Sequence, residues 1–238
     1  GSYVHPMEQL FGARSAIGLA LLRLAVEGIP ITGVPDPGEE PGPQNRPFKA
    51  GEVNSSYYVG YLNYARAAGN RLTFGGSFKI IQADLGTATG LGAGLDVGVI
   101  FRAHERLSLG LAVKDATTTV LSWETGTREY VMPTSSLGFA LSTPVEFPKG
   151  KFALAADVDI KFENRRTASQ FAYDFLSGES HVGCEYTYRK VVSARVGIDA
   201  GHPAFGAGLS YRGFSLDYAH LNHDELGVTK RISGSYSF

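Results

Sequence analysis

The sequence predicts an all-β protein, an antiparallel transmembrane β-barrel of about 12–14 strands with short periplasmic turns and long extracellular loops. Three observations predict this fold class. Apolar and polar residues alternate in one segment after another, the connections alternate between short and long, and the chain ends on an aromatic strand residue. Because successive side chains of a strand point to opposite faces, such alternation gives a sheet one apolar and one polar face.

The composition fits this class and argues against several others. The chain has 238 residues, of which 43% are hydrophobic and 19% charged, with a net charge of −1. No run approaches the roughly 18–20 apolar residues of a membrane helix, whereas membrane strands alternate and average to neutral hydropathy. The single Cys184 excludes an intrachain disulfide and a cysteine metal cluster. The near-zero net charge gives no support to nucleic-acid binding.

The strands are predicted from this alternation in chain order. Ser2–Met7 is predicted as a partial strand, and Ala16–Ile29 and Ser55–Arg66 have the composition of strands with an ambiguous phase. Clean alternation predicts the others, namely Leu72–Ile80, Leu91–Phe101, Leu107–Val113, Leu137–Leu141, Phe152–Phe162, Val182–Tyr188, Val192–Ile198, Phe205–Tyr211, Phe214–His220 and Val228–Phe238. The whole chain, residues 1–238, is predicted to form one barrel domain.

The last strand carries a further signal. From Val228 onward one parity is mainly apolar and ends on Phe238, while the other carries threonine, arginine and serine. A final aromatic residue is typical of bacterial outer-membrane barrels, whose insertion machinery reads the last strand. We therefore predict an insertion signal at Gly234, Tyr236 and Phe238, a location in the bacterial outer membrane and a periplasmic C-terminus.

The lengths of the connections favour a barrel over a soluble sandwich. With the C-terminal strand ending in the periplasm, the short turns all fall on the periplasmic side and the long loops outside, which is the outer-membrane arrangement. The short turns lie near residues 67–70, 104–106, 144–150, 189–190 and 212–213, and the longest loops are 30–54, 115–133 and 163–178.

The polar parity is rich in charge. A dry sandwich core could not hold these side chains, whereas a wet or plugged lumen can. Both signs occur on neighbouring strands, so cross-strand pairs such as Glu185 with Arg195 are expected. The charges concerned are Lys79, Asp96, Lys114, Asp157, Asp159, Lys161, Glu185, Arg195, Asp199, Asp217 and Arg231.

No motif predicts catalysis, a cofactor or a metal. The glycines of Gly90–Gly98 alternate inside a strand, whereas a dinucleotide loop must turn from a strand into a helix. Asp157 and Asp159 share a strand face without a positioned nucleophile or base, so we interpret them as lumen charges paired with lysine or arginine. We interpret the loop residues His220, His223, Asp224 and Glu225 as turn-forming polar residues rather than metal ligands.

Aromatic side chains in two long loops are the best candidates for partner binding. Exposed aromatic residues on loops often mark partner surfaces. The alternative is that they fold inward as a lid or insert at the membrane interface. The candidates are Trp123, Tyr130 and Met132 in the first loop and Phe171, Tyr173 and Phe175 in the second.

The chain resembles a known family over nearly its whole length. The resemblance lies in LRLAVEGIPITG (22–33), VGYLNYARAAGNRLTFGGSFKII (59–81), DVGVIFRAHERLSLGLAVKD (96–115), HVGCEYTY (181–188), SARVGIDAG (193–201), FGAGLSYRGFSLDYA (205–219) and ELGVTKRISGSYSF (225–238). These segments resemble the PorV/PorQ family, which is similar to the FadL-type outer-membrane barrels. Nothing in the N-terminal segment matches the family's plug region, so we expect the plug and first strand to be missing here.

The resemblance implies a function without enzymatic activity. It implies a barrel that engages exported protein cargo in type IX secretion or surface attachment, with membrane lipids, secreted cargo and other secretion or envelope components as partners. FadL-like relatives instead carry hydrophobic small molecules, which makes a transporter with a hydrophobic ligand the alternative. A structural barrel within an envelope complex is the third hypothesis.

Overall fold

The computed structural model describes residues 1–10, 13–163, 169–223 and 227–238, and within them the chain forms sixteen β-strands and no helix that could cross a membrane. Asp224 and Glu225 of the predicted polar loop lie outside the described residues. The strands are β1 (Ser2–Leu10), β2 (Ala13–Gly33), β3 (Phe48–Ala68), β4 (Leu72–Asp84), β5 (Thr89–His104), β6 (Leu107–Lys114), β7 (Thr119–Trp123), β8 (Arg128–Val131), β9 (Thr134–Val145), β10 (Gly150–Lys161), β11 (Phe171–Tyr173), β12 (Leu176–Tyr188), β13 (Val192–Asp199), β14 (His202–Tyr211), β15 (Phe214–His223) and β16 (Gly227–Tyr236).

The sixteen strands belong to one antiparallel sheet, and the strands of its main path follow one another in chain order. Three of them, β7, β8 and β11, lie off the main path of the sheet, which leaves thirteen strands in that path among the described residues. This number falls within the predicted range, and the all-β antiparallel prediction is confirmed.

Two predicted loops contain further strands. Within 115–133, β7 pairs with β5 through Gly90↔Trp123 and with β8 through Thr119↔Val131. Within 163–178, β11 pairs with β12 through Phe171↔Gly178. The sequence does not predict these short strands, because segments of three to five residues are too short to show a periodic pattern.

The register keeps the predicted faces apart. Arg195 in β13 lies opposite Glu185 in β12 and opposite Gly206 in β14, so polar and small residues share one face of the sheet. The opposite face stays apolar and exposed, as shown by Leu91 at 65%, Ile198 at 56% and Ile232 at 77% exposure. Such an apolar surface needs an apolar solvent, which the predicted barrel has in the bilayer.

Two tight turns are made by residues with positive φ. Arg189 and Lys190 have φ of 49° and 59°, and Arg212 and Gly213 have φ of 49° and 84°. Positive φ at both central residues is the geometry of the two-residue hairpin turns that match strand twist. These turns are the predicted short connections at 189–190 and 212–213.

The chain divides into two compact units. Unit 1 comprises residues 1–66, 75–96 and 115–131, and unit 2 comprises residues 67–74, 97–114 and 132–238. Among the described residues, the buried hydrophobic side chains Ala83, Leu121 and Trp123 form a small core in unit 1. In unit 2 the side chains of greatest chemical interest lie on the polar face, which we define by Asp157, Asp159, His181, Glu185, Arg195 and Asp217.

Candidate functional site

A cavity lies against the polar face of unit 2. Its volume is about 930 Å³, and β10 and the strands from β12 to β16 supply its lining. Most of the lining is apolar, and its small residues bring the backbone of five neighbouring strands close to the open space. The small residues on the polar face are Ala153, Ala155, Gly183, Gly197, Ala204, Gly206 and Ala219.

Three charged side chains of the lining pair with one another. Arg195 Nε donates to Glu185 Oε2 at 2.5 Å, and Arg195 Nη1 donates to Asp217 Oδ1 at 2.5 Å. The three side chains are 34–38% exposed, so water reaches them from the cavity. The pairing of Glu185 with Arg195 confirms the expectation from sequence, and it takes Arg195 out of use as an anchor for an anionic ligand.

The glycines of the cavity wall are not equivalent. A Cβ at Gly197 would lie 2.7 Å from the Val182 carbonyl oxygen, so close strand approach requires glycine there. A Cβ at Gly183 would meet nothing closer than 3.6 Å, which is an ordinary contact. A side chain at Gly183 would therefore extend into the cavity with little disturbance of the wall.

Further charged side chains of unit 2 lie beside the cavity. Asp159 accepts a hydrogen bond from Ser136 Oγ at 2.5 Å and lies 3.7 Å from Lys114 Nζ, which confirms the predicted pairing for this carboxylate. Lys161 pairs with Glu179 at 2.8 Å. His181 Nδ1 lies 2.5 Å from Asp199 Oδ1.

Unit 1 contains a buried polar node. Lys79 Nζ lies 2.8 Å from Asp96 Oδ1 and 2.6 Å from Asp115 Oδ1, and its side chain is only 9% exposed. Asp115 also accepts a hydrogen bond from the hydroxyl of Thr119, the first residue of β7. The node therefore fixes the bend at which β6 ends and β7 begins.

Alternate glycines of β5 make room for β7. Trp123 packs on Gly90, Leu121 lies beside Gly92, and Thr119 occupies the space where Gly94 would carry a Cβ. The sequence predicts these glycines within one strand, which is confirmed. Their packing partners could not be predicted, because β7 was interpreted as loop.

The predicted partner-binding side chains are placed in two different environments. Trp123 is buried at 8% exposure, in the inward-folded arrangement that the sequence left open. The others are exposed, with Tyr130 at 59%, Met132 at 43%, Phe171 at 50%, Tyr173 at 84% and Phe175 at 58%. The Phe171 ring covers Gly178 of the neighbouring strand. Their role in partner binding stays a prediction.

The predicted insertion signal lies at the end of the sheet. Gly234 and Tyr236 are in β16, and Phe238 follows the strand. The rings of Tyr236 and Phe214 are 4.5 Å apart, and those of Tyr236 and Phe238 are 6.3 Å apart. The Phe238 side chain is 85% exposed. Recognition of these residues by an insertion machinery stays a prediction.

Comparison with known proteins identifies the fold. No protein-family model and no curated protein matches the sequence. Among solved structures, the P. putida toluene transporter TodX is similar with a TM-score of 0.63 and 15% identity over 100% of this chain and 81% of that one. The Ralstonia pickettii toluene transporter TbuX has a TM-score of 0.59 and 12% identity over 100% of this chain and 80% of that one. At these identities the similarity shows the fold alone, a β-barrel fold like that of these two transporters, and not a substrate.

Proposed function

We propose that this protein carries hydrophobic small molecules across the bacterial outer membrane. The observation that supports this most is the cavity of about 930 Å³ on the polar face of unit 2, whose lining is mostly apolar although the face itself carries charge. Ligand pockets of about 300–1,000 Å³ with mostly apolar walls and a few polar groups are typical of small-molecule sites.

The paired charges around Arg195 leave an uncharged ligand to bind by apolar contact. Arg195 donates to Glu185 through Nε and to Asp217 through Nη1, so an anionic ligand that used Arg195 would have to displace one of the two carboxylates, while Lys230 and Arg231 also line the cavity. A neutral ligand loses nothing by this pairing, and it gains from the burial of its apolar surface at about 25 cal/mol per Å². Both structural neighbours are toluene transporters, which supports a small neutral hydrocarbon as the ligand class.

The exposed apolar face supports the location in the outer membrane. Leu19, Leu21 and Leu216 on that face are 54–62% exposed, and no apolar partner covers them within the described residues. Membrane strands with an apolar outer face and a polar lumen have this pattern. We place the polar face in the lumen, and the short turns on one side of the barrel support a periplasmic C-terminus.

Filling the cavity tests the proposal directly. Gly183→Leu places a large side chain in the cavity without a backbone clash, since its Cβ meets nothing closer than 3.6 Å. We expect uptake of radiolabelled toluene by cells that express the variant to fall at least about fivefold, because the side chain occupies the volume that the ligand needs.

Gly110→Leu is the matched control. A Cβ at Gly110 meets nothing within 4 Å, and Gly110 does not line the cavity. Its uptake should stay within about twofold of the unmodified protein when both reach the membrane in equal amounts. Equal toluene uptake by the Gly183 variant and the unmodified protein would refute the assignment of the cavity.

A secretion-associated role of PorV type is the second candidate. The observation in its favour is the exposure of aromatic side chains on β8 and around β11, with Tyr173 at 84%. The structural similarities support the transporter better, since both neighbours are transporters. If this role holds, removing the aromatic side chains of Tyr130, Phe171 and Tyr173 should abolish capture of secreted cargo. If the protein is a transporter only, the same change should leave toluene uptake unchanged.

A further inference from the structure

We propose that Asp157, Asp159 and His181 form a binding site for a divalent transition-metal cation of the Zn²⁺ type on the polar face of unit 2. The three residues each offer one ligand atom, and these atoms all lie within 4.8 Å of one another. Asp157 is paired directly across from His181 in the β10–β12 ladder, and Asp159 follows two residues later on the same face.

The distances suit a metal site that closes on its ion. Ligand atoms bound to one Zn²⁺ at about 2.0–2.2 Å are roughly 3–4 Å apart. Small rotations of exposed or half-buried side chains bring the three atoms to this spacing, since Asp157 is exposed and the other two are intermediate in burial. Because β10 and β12 are adjacent hydrogen-bonded strands, the backbone positions need not change.

The imidazole of His181 is already oriented as in a metal ligand. Its Nδ1 is 2.5 Å from Asp199 Oδ1, a residue directly opposite it in the β12–β13 ladder. Metal-ligating histidines typically donate the second ring N–H to a carboxylate, which fixes the tautomer and leaves the other nitrogen free for the metal. Asp199 thus has the role of a positioning residue in this site.

The local charge calls for a cation. Asp157, Asp159 and Asp199 surround one histidine, and the described cation beside them is Lys114, whose Nζ lies 3.7 Å from Asp159 Oδ2. The nearby Lys161 and Glu179 neutralise each other. Among the described residues, these three carboxylates and one ammonium sum to two negative charges, and no described residue donates a hydrogen bond to the Asp157 carboxylate. A divalent cation balances this charge, and like charges this close are otherwise unfavourable.

The donor set selects the kind of metal. One imidazole nitrogen with carboxylate oxygens suits Zn²⁺ and its first-row neighbours, whereas Ca²⁺ and Mg²⁺ take oxygen ligands almost alone. The site lies beside the cavity on the same face, since Ala155↔Gly183 is two residues from Asp157↔His181 along the ladder. A bound ion would link β10 to β12 there.

The test is a titration of the full chain, free of any histidine tag and folded in detergent micelles, with Zn²⁺ at pH 7 by isothermal calorimetry. We expect one ion per chain, with the affinity lowered at least about tenfold by His181→Gln and by Asp157→Asn, because each removes a ligand. Asp199→Asn should weaken binding about 10–100-fold as a positioning residue does. His104→Gln, which lies at a turn outside the cluster, is the matched control and should bind as the unmodified protein does.

A second readout guards against misfolded variants. One bound ion should raise the thermal midpoint of the unmodified protein and of His104→Gln, but not that of His181→Gln, since a ligand that binds only the folded state stabilises it. Heat-modifiable migration on gels establishes that each variant is folded. Zn²⁺ binding that His181→Gln leaves unchanged, or binding only at millimolar Zn²⁺, would overturn the proposal.

Discussion

At the residue scale, the contacts of Lys79 decide how the chain passes from β6 to β7. Its ammonium group is shared by the carboxylates of Asp96 and Asp115, and Asp96 also accepts a hydrogen bond from the backbone N–H of Asp115 at 2.8 Å. Since the lysine side chain is 9% exposed, the two carboxylates depend on it for charge balance. The node therefore stabilises the bend only while all three groups are present.

Lys79→Met tests this dependence. The change keeps the length of the side chain but leaves two neighbouring carboxylates without a cation, so we expect a loss of about 2–4 kcal/mol in the free energy of unfolding. Urea unfolding of the protein in detergent micelles measures it. Lys49→Met is the control, because the Lys49–Glu52 pair is more than half exposed at both ends and should contribute less than about 1 kcal/mol. Equal losses in the two variants would contradict the account.

The close packing around Gly94 gives a second prediction at the residue scale. A Cβ there would lie 1.8 Å from Thr119 Oγ1 and 2.9 Å from Lys79 Cε, so Gly94→Ala must displace the Thr119 side chain, and we expect β7 to move with it. Trp123, the only tryptophan of the chain, is buried in β7 and reports such a displacement by its fluorescence. We expect a red-shifted emission and a loss of about 1–3 kcal/mol from overpacking.

Gly110→Ala is the comparison for this variant, since its Cβ would meet nothing within 4 Å. Its tryptophan emission should match that of the unmodified protein. If Gly94→Ala also left the emission unchanged, the packing of β7 against β5 would be refuted.

At the scale of the element, the long strands were predictable and the short ones were not. The strand from Val192 to Asp199 alternates over eight residues, and its residues face the same sides in the structure as the pattern predicts. β7 has five residues with alternate burial, but Thr119 and Val120 begin it without a clear apolar parity. Its pairing depends on the glycines of β5, a long-range relation that local periodicity does not contain.

The predicted role of β16 can be tested in the same way. Phe238→Ser removes the terminal aromatic side chain, which is 85% exposed and so contributes little to packing. If the last strand carries the insertion signal, the amount of folded protein in the outer membrane should fall several-fold while folding in detergent stays normal. Ser237→Ala is the control. Normal membrane levels of Phe238→Ser would contradict the signal.

At the scale of the whole molecule, the sequence predicts the fold better than the site. The fold follows from the alternation of apolar and polar residues between two faces, and this pattern recurs in nearly every strand. The cavity follows from the register that aligns Gly183, Gly197 and Ala204 across three strands, and register is not visible in any one segment. For the same reason the sequence places Asp157 and His181 on polar parities without showing that they face each other.

Binding of hydrophobic small molecules by this barrel is measured most directly by mass spectrometry of everything that co-purifies with the native protein from outer membranes in mild detergent. We expect one or more hydrophobic small molecules, depleted in the Gly183→Leu variant and retained in Gly110→Leu, without secreted proteins. Secreted proteins in fixed stoichiometry, with no small hydrophobic molecule in either preparation, would contradict it.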